Sequence, residues 1–110
     1  MTLYETTFIT RQDISTQDVD KLTESFIKIL EENKGQTVKV EQWGLRDLAY
    51  PIKKYNKGYY TFLGIEADNA AIKELERKMR LNEDVLRCVS IKVDAIESED
   101  SAIITINQSE

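Results

Sequence analysis

Two helical periodicities, each set between stretches of strand-like alternation, constrain this chain more than any other feature of its sequence. Val19, Leu22, Phe26, Ile29 and Leu30 recur at spacings of three and four, and so do Ile72, Leu75 and Met79. That period places each set on one face of a helix. Ser15 is a good N-cap for the first helix, with Asp18 three positions on in the manner of a capping box. Gly35 is expected to take the left-handed conformation that ends it. Asp68 or Asn69 caps the second helix, and the Asn82-Glu83-Asp84 run closes it.

Four β-rich stretches surround these helices. Residues 3–10 alternate, with Tyr4, Thr6 and Phe8 on one face and Leu3, Glu5, Thr7 and Ile9 on the other. Residues 37–43 form a second strand that continues, with a bulge at Gly44, towards Tyr50. Pro51 lacks an N–H, so this end belongs at a sheet edge or in a loop. Tyr55-Asn56-Lys57-Gly58 carries turn chemistry, which starts the third strand at Tyr59. Residues 85–93 make the fourth. The order is βαββαβ, an α+β sandwich with two one-striped helices on one face of an antiparallel four-stranded sheet. Several strands are apolar in both phases. The second sheet face therefore either binds something or lies under the Ile-rich run at 103–106. The domain is assigned to residues 1–95 and an acidic C-terminal tail to 96–110.

The residue inventory excludes much chemistry. There is no histidine, so no Ser-His or Cys-His pair and no imidazole metal site exists, and the single Cys88 makes neither an internal disulfide nor a zinc site. The glycines Gly35, Gly44, Gly58 and Gly64 form no phosphate-binding loop. An acyl-phosphate hydrolase on this element order would want a phosphate cradle with an Arg and an Asn, for which Arg11-Gln12-Asp13 is a poor substitute. A small-ligand regulatory domain would need convergent polar groups that the sequence lacks. We expect no enzymatic activity, no cofactor, no small-molecule substrate and no membrane partner. The lone cysteine fits a reducing, cytoplasmic setting.

Net charge is −5, which argues against a polyanionic partner until its distribution is read. Residues 36–58 are net +3, through Lys39, Arg46, Lys53, Lys54 and Lys57 against Glu41 and Asp47, whereas residues 94–110 hold five acids and no base. Local field outweighs total charge within a Debye length of about 8 Å. The candidate phosphate-neutralising side chains are Arg46, Lys53, Lys54, Lys57 and Arg87, with Tyr50 or Tyr59 able to stack on an unpaired base. The competing reading is a solvated hairpin in which Trp43 and Tyr50 pack structurally and Arg87 pairs with Glu83 or Asp84.

The run Glu41-Gln42-Trp43-Gly44-Leu45-Arg46-Asp47-Leu48-Ala49-Tyr50-Pro51-Ile52-Lys53-Lys54, followed by Lys57-Gly58-Tyr59-Tyr60, resembles the signature of the bacterial small-subunit ribosomal protein six family. Tyr4-Glu5 and Leu81-Asn82-Glu83-Asp84-Val85-Leu86-Arg87 fit the same family, so the resemblance covers about residues 3–93. It implies a ferredoxin-like fold with sheet order 4-1-3-2. It also implies binding to 16S ribosomal RNA in the platform of the small subunit, as a heterodimer with small-subunit ribosomal protein eighteen, with no catalysis. Thr2 and Leu3 stand where the family often carries a basic residue, and Asp47 where it is often basic or neutral. Both departures imply a weaker electrostatic contribution here.

Overall fold

The computed structural model describes residues 1–96; the acidic run from 97 onward, including the Ile-rich segment, lies outside the described residues. The elements are β1 (Thr2–Arg11), α1 (Thr16–Glu32), β2 (Gln36–Ile52), β3 (Tyr55–Ala67), α2 (Asn69–Leu81) and β4 (Val85–Val93). All neighbouring strands are antiparallel, in the order β2-β3-β1-β4. This is the expected βαββαβ sandwich, with β2 and β4 at the edges.

The helix-facing core follows from the two periodicities. Phe26 and Leu30 of α1 and Ile72, Leu75 and Met79 of α2 are buried with Tyr4, Phe8, Leu63 and Ile65 of the sheet. Phe8 and Phe26 meet edge to face, with centroids 5.2 Å apart and planes at 88°, the geometry aromatic quadrupoles favour. Some polar groups inside this layer are paired, whereas the Thr10 and Thr37 hydroxyls are buried with no hydrogen-bond partner among the described residues. Thr6 Oγ1 and Ser90 Oγ lie 2.8 Å apart across β1 and β4. On the α1 side, Thr61 donates to Gln42 Oε1 at 2.8 Å, and Gln42 Nε2 donates to Thr23 at 3.2 Å.

Ser15 caps α1 as expected, its hydroxyl accepting from the Asp18 amide at 3.0 Å. The other end differs from expectation. Lys34, with φ 67°, is the left-handed residue rather than Gly35. The Gly35 amide donates to Leu30 O and the Lys34 amide to Glu31 O, which is the Schellman pattern. Gly35 is required for space instead. A Cβ there would stand 2.9 Å from both Ala67 Cβ and Leu30, so the chain leaves α1 pressed against the end of β3.

The second sheet face is closed in part by the chain itself. β2 shifts register between Gln42 and Gly44, with Gly44 at φ 80°, which is the bulge expected there. The bulged Trp43 lies over β3, its ring stacked on Phe62 at 5.8 Å and Tyr60 at 6.2 Å. Ile9, Tyr60, Phe62 and Trp43 form a second buried cluster edged by Leu48 and Leu86. Lys39 Nζ sits 5.8 Å above the Phe62 ring and 3.3 Å from Glu41, which also accepts from Trp43 Nε1. Past β4 the chain turns back over this face. Ile96 rests where a Cβ on Gly64 would be 3.0 Å away. On the β4 side, Val89 and Ile91 stay exposed.

Candidate nucleic-acid interface

β1 pairs with β3 only as far as Arg11 opposite Gly58. Beyond that point the β2–β3 hairpin continues as an arm, residues 47–57, that overhangs the sheet. The turn at its end is not Tyr55-Asn56-Lys57-Gly58, as the turn chemistry predicted. Ile52 pairs with Tyr55, so the two-residue turn is Lys53-Lys54, and β3 begins four residues earlier than expected. Lys53 has φ 49° and Lys54 φ 75°. Positive φ at both central positions is the type I′ pattern, which matches the twist of hairpin strands and selects Asn-Gly. Lysine has neither the local hydrogen bonding of Asn nor the freedom of Gly, so each residue carries left-handed strain. Both lysines are exposed at the extreme tip. Pro51 sits one residue before the last of β2, on an edge strand, where its missing N–H costs no ladder bond.

The other basic candidates divide. Lys57 lies on the arm, 3.7 Å from Asp47 across the hairpin, both side chains well exposed. Arg46 sits at the root of the arm opposite Gly58, half-buried, its Nε donating to Trp43 O at 3.2 Å. Arg87 does not pair with Glu83 or Asp84. Its Nη1 donates to the Tyr50 hydroxyl at 2.6 Å, while Asp84 accepts instead from Arg11 Nε at 2.8 Å. Arg87 faces Ile9 and so lies on the side of the Trp43 cluster, and the bulge beyond it, before Thr10 faces Val85, turns Leu86 to that side as well. Tyr50 is 56% exposed, so its ring keeps a free face although its hydroxyl is engaged. Tyr59 is half-buried between Leu45 and Thr10. Trp43 is structural: 8% exposed and stacked on two rings. The structure thus brings Tyr50, Lys53, Lys54 and Lys57 together on one arm, joins Arg87 to it through Tyr50, and places Arg46 at its base.

A set of polar residues that the sequence did not mark also meets the arm. Tyr55 donates to Asp13 Oδ2 at 3.2 Å, and the Lys57 amide donates to Gln12 Oε1 at 3.2 Å. Arg11 lies 3.3 Å from Asp13 as well as bonding Asp84. Hydrogen bonding to Tyr55 first, and to Asp84 next, holds its guanidinium pKa above the ordinary arginine value. No local motif signals these contacts, because the partners are 42, 45 and 73 residues apart in sequence.

An antiparallel sheet with two helices on one face, in βαββαβ order, defines a ferredoxin-like α+β domain, here with a basic hairpin arm overhanging the sheet. The chain belongs to the ribosomal protein S6 family, whose model matches residues 3–92. It is 50% identical over 109 residues to the small ribosomal subunit protein bS6 of Rickettsia prowazekii, covering 99% of this chain and 89% of that one. The Rhodospirillum centenum protein of the same name is 52% identical over 105 residues, 96% of this chain and 64% of that one. Among solved structures, the crystal structure of 30S ribosomal protein S6 from Thermotoga maritima matches with a TM-score of 0.80 at 30% identity, over 99% of this chain and 98% of that chain. The C-terminal domain of the Mycobacterium tuberculosis MgtC protein, at 12% identity and a TM-score of 0.58, over 90% of this chain and 95% of that domain, shares the fold alone. The family makes the chain a structural protein of the small ribosomal subunit, and with that a ribosome-associated component of translation.

Proposed function

We propose that this chain binds 16S ribosomal RNA in the platform of the small subunit jointly with small-subunit ribosomal protein eighteen, contributing neither catalysis nor a cofactor. The observation that carries the reading is the arm: its four candidate side chains, Tyr50, Lys53, Lys54 and Lys57, lie on a hairpin that runs on past the end of the β1–β3 pairing, with Arg46 at its base and Arg87 bonded to Tyr50. The ammonium and guanidinium groups neutralise phosphates and set orientation, while the open face of Tyr50 stacks on an unpaired base or ribose. The partner protein buries an edge strand. Both edges offer apolar side chains for that: Val38 and Val40 on β2, Val89 and Ile91 on β4.

A net charge of −5 opposes tight RNA binding by the chain alone, so the partner should supply much of the affinity. Filter binding to a platform RNA fragment, with and without ribosomal protein eighteen, tests this. Weak binding alone and tight binding with the partner is the expected result. Tight binding by the isolated chain, unchanged by the partner, contradicts it.

A further inference from the structure

We infer that Gln12, Asp13 and Tyr55 are positioning residues for RNA binding: they fasten the overhanging arm to the body of the domain and preset its direction. The inference rests on the arm being the RNA-binding element, as proposed above. An overhanging two-stranded ribbon is marginal by itself, and this one is weakened further. β2 carries four residues, 48–51, opposite Asn56 alone, between the pairs Asp47–Lys57 and Ile52–Tyr55. The turn beyond has two lysines at positive φ. Ladder bonds alone would leave its tip lysines pointing in many directions.

Side-chain ties compensate from two sides. On one, the loop after β1 holds Tyr55 through Asp13 and the Lys57 amide through Gln12. Asp13 is itself held by Arg11, and Arg11 is anchored by Asp84 at the entry to β4. On the other, Arg87 of β4 holds Tyr50. The arm is therefore oriented by contacts from both strands of the β1–β4 pair, at the end where Thr10 faces Val85. An arm fixed before encounter loses less conformational freedom on binding, and that saving appears as affinity.

The sign of one substitution separates this from simple electrostatics. Asp13 is an acid beside a basic arm, so by Coulomb's law alone its removal should strengthen RNA binding. If it positions the arm, Asp13→Ala should weaken binding instead, by about three- to tenfold, the range that losing one net hydrogen bond gives. Tyr55→Phe, which deletes only the hydroxyl, should give a similar loss, and the double variant should be no worse than either single one. Asp13→Asn keeps an acceptor for Tyr55 and should recover most of the affinity. A positioning residue makes no phosphate contact of its own, so the log–log salt slope should stay at the parent value in all of them.

The assay is filter binding to the platform RNA fragment with ribosomal protein eighteen present, over a salt series, with Lys53→Gln/Lys54→Gln run alongside. Weakened binding in Asp13→Ala and Tyr55→Phe at unchanged slope supports the inference. Parent-like or tighter binding in both, while the lysine variant loses affinity and slope, overturns the positioning role and leaves the arm as the RNA contact. If the lysine variant also binds like the parent, the proposed RNA contact itself fails.

Discussion

Replacing Lys53-Lys54 by Asn-Gly should stabilise the protein and weaken its RNA binding at once. Each lysine is held at positive φ, 49° and 75°, a region that costs an ordinary side chain roughly 1–2 kcal/mol. Asn tolerates the first position and Gly relieves the second fully, although Gly returns about 0.5–1 kcal/mol through the entropy of the unfolded chain. With Asn relieving only part of the strain at the first position, the net gain is still at least about 1 kcal/mol. For a domain of this size that raises Tm by about 4–8 °C. The same exchange removes two ammonium groups. If both contact phosphate, the slope of log affinity against log salt should fall by roughly 1.4–1.8. Lys53→Gln/Lys54→Gln is the control: it removes the charges and keeps the strain, so it should lose the same slope without gaining stability. Calorimetry and filter binding read the two effects separately. A lower or unchanged Tm in the Asn-Gly variant refutes the strain argument. An unchanged salt slope in both variants refutes the assignment of these lysines to phosphate.

Other substitutions probe the core and its packing. Phe26→Ala and Leu75→Ala should each cost roughly 2–5 kcal/mol, towards the upper end for the ring, because both side chains are almost fully buried; denaturant melts measure it, and a parent-like melt would contradict the packing described. Gly35→Ala should destabilise by about 1–3 kcal/mol, since the added methyl meets Ala67 and Leu30 at 2.9 Å. The Cys88 thiol is pushed above its ordinary value, first by desolvation. Alkylation of the folded protein at neutral pH should therefore be much slower than after unfolding, and equal rates would contradict this. Hydrogen bonding to Arg77 holds the Glu74 carboxyl below its usual range. Its contribution to stability is thus present above the unfolded-state Glu pKa and fades as pH falls through the lower folded value. Glu74→Gln should flatten that acid limb in pH-dependent melts.

What could be read in the sequence, and what could not, divides along physical lines. The spacing of Val19, Phe26 and Leu30 and of Ile72, Leu75 and Met79 fixes which helix faces are buried, because that signal is repeated over several turns. The bulge at Gly44 was legible because a strand-interior glycine has few other uses. The Lys53-Lys54 turn was not, since lysine carries no turn preference and the glycine at 58, which drew the turn to itself, is needed elsewhere. There a Cβ would collide with an Ile9 methyl carbon and stand 2.9 Å from Thr10 O. Lys34 displaced Gly35 at the end of α1 for a similar reason: packing claimed the glycine, and the left-handed position fell to its neighbour. The phosphate-facing candidates were visible as a cluster of charge. The ties from Gln12 and Asp13 were not, because they exist only once β1 and the arm are brought together.

A photoreactive side chain placed at position 54, in a chain assembled into small subunits, reports whether the arm touches RNA, with one at position 24 on the exposed side of α1 as reference. Position 54 should crosslink to 16S ribosomal RNA and position 24 should not. Crosslinks from position 24 to RNA, with position 54 reaching only protein or solvent, would contradict that contact.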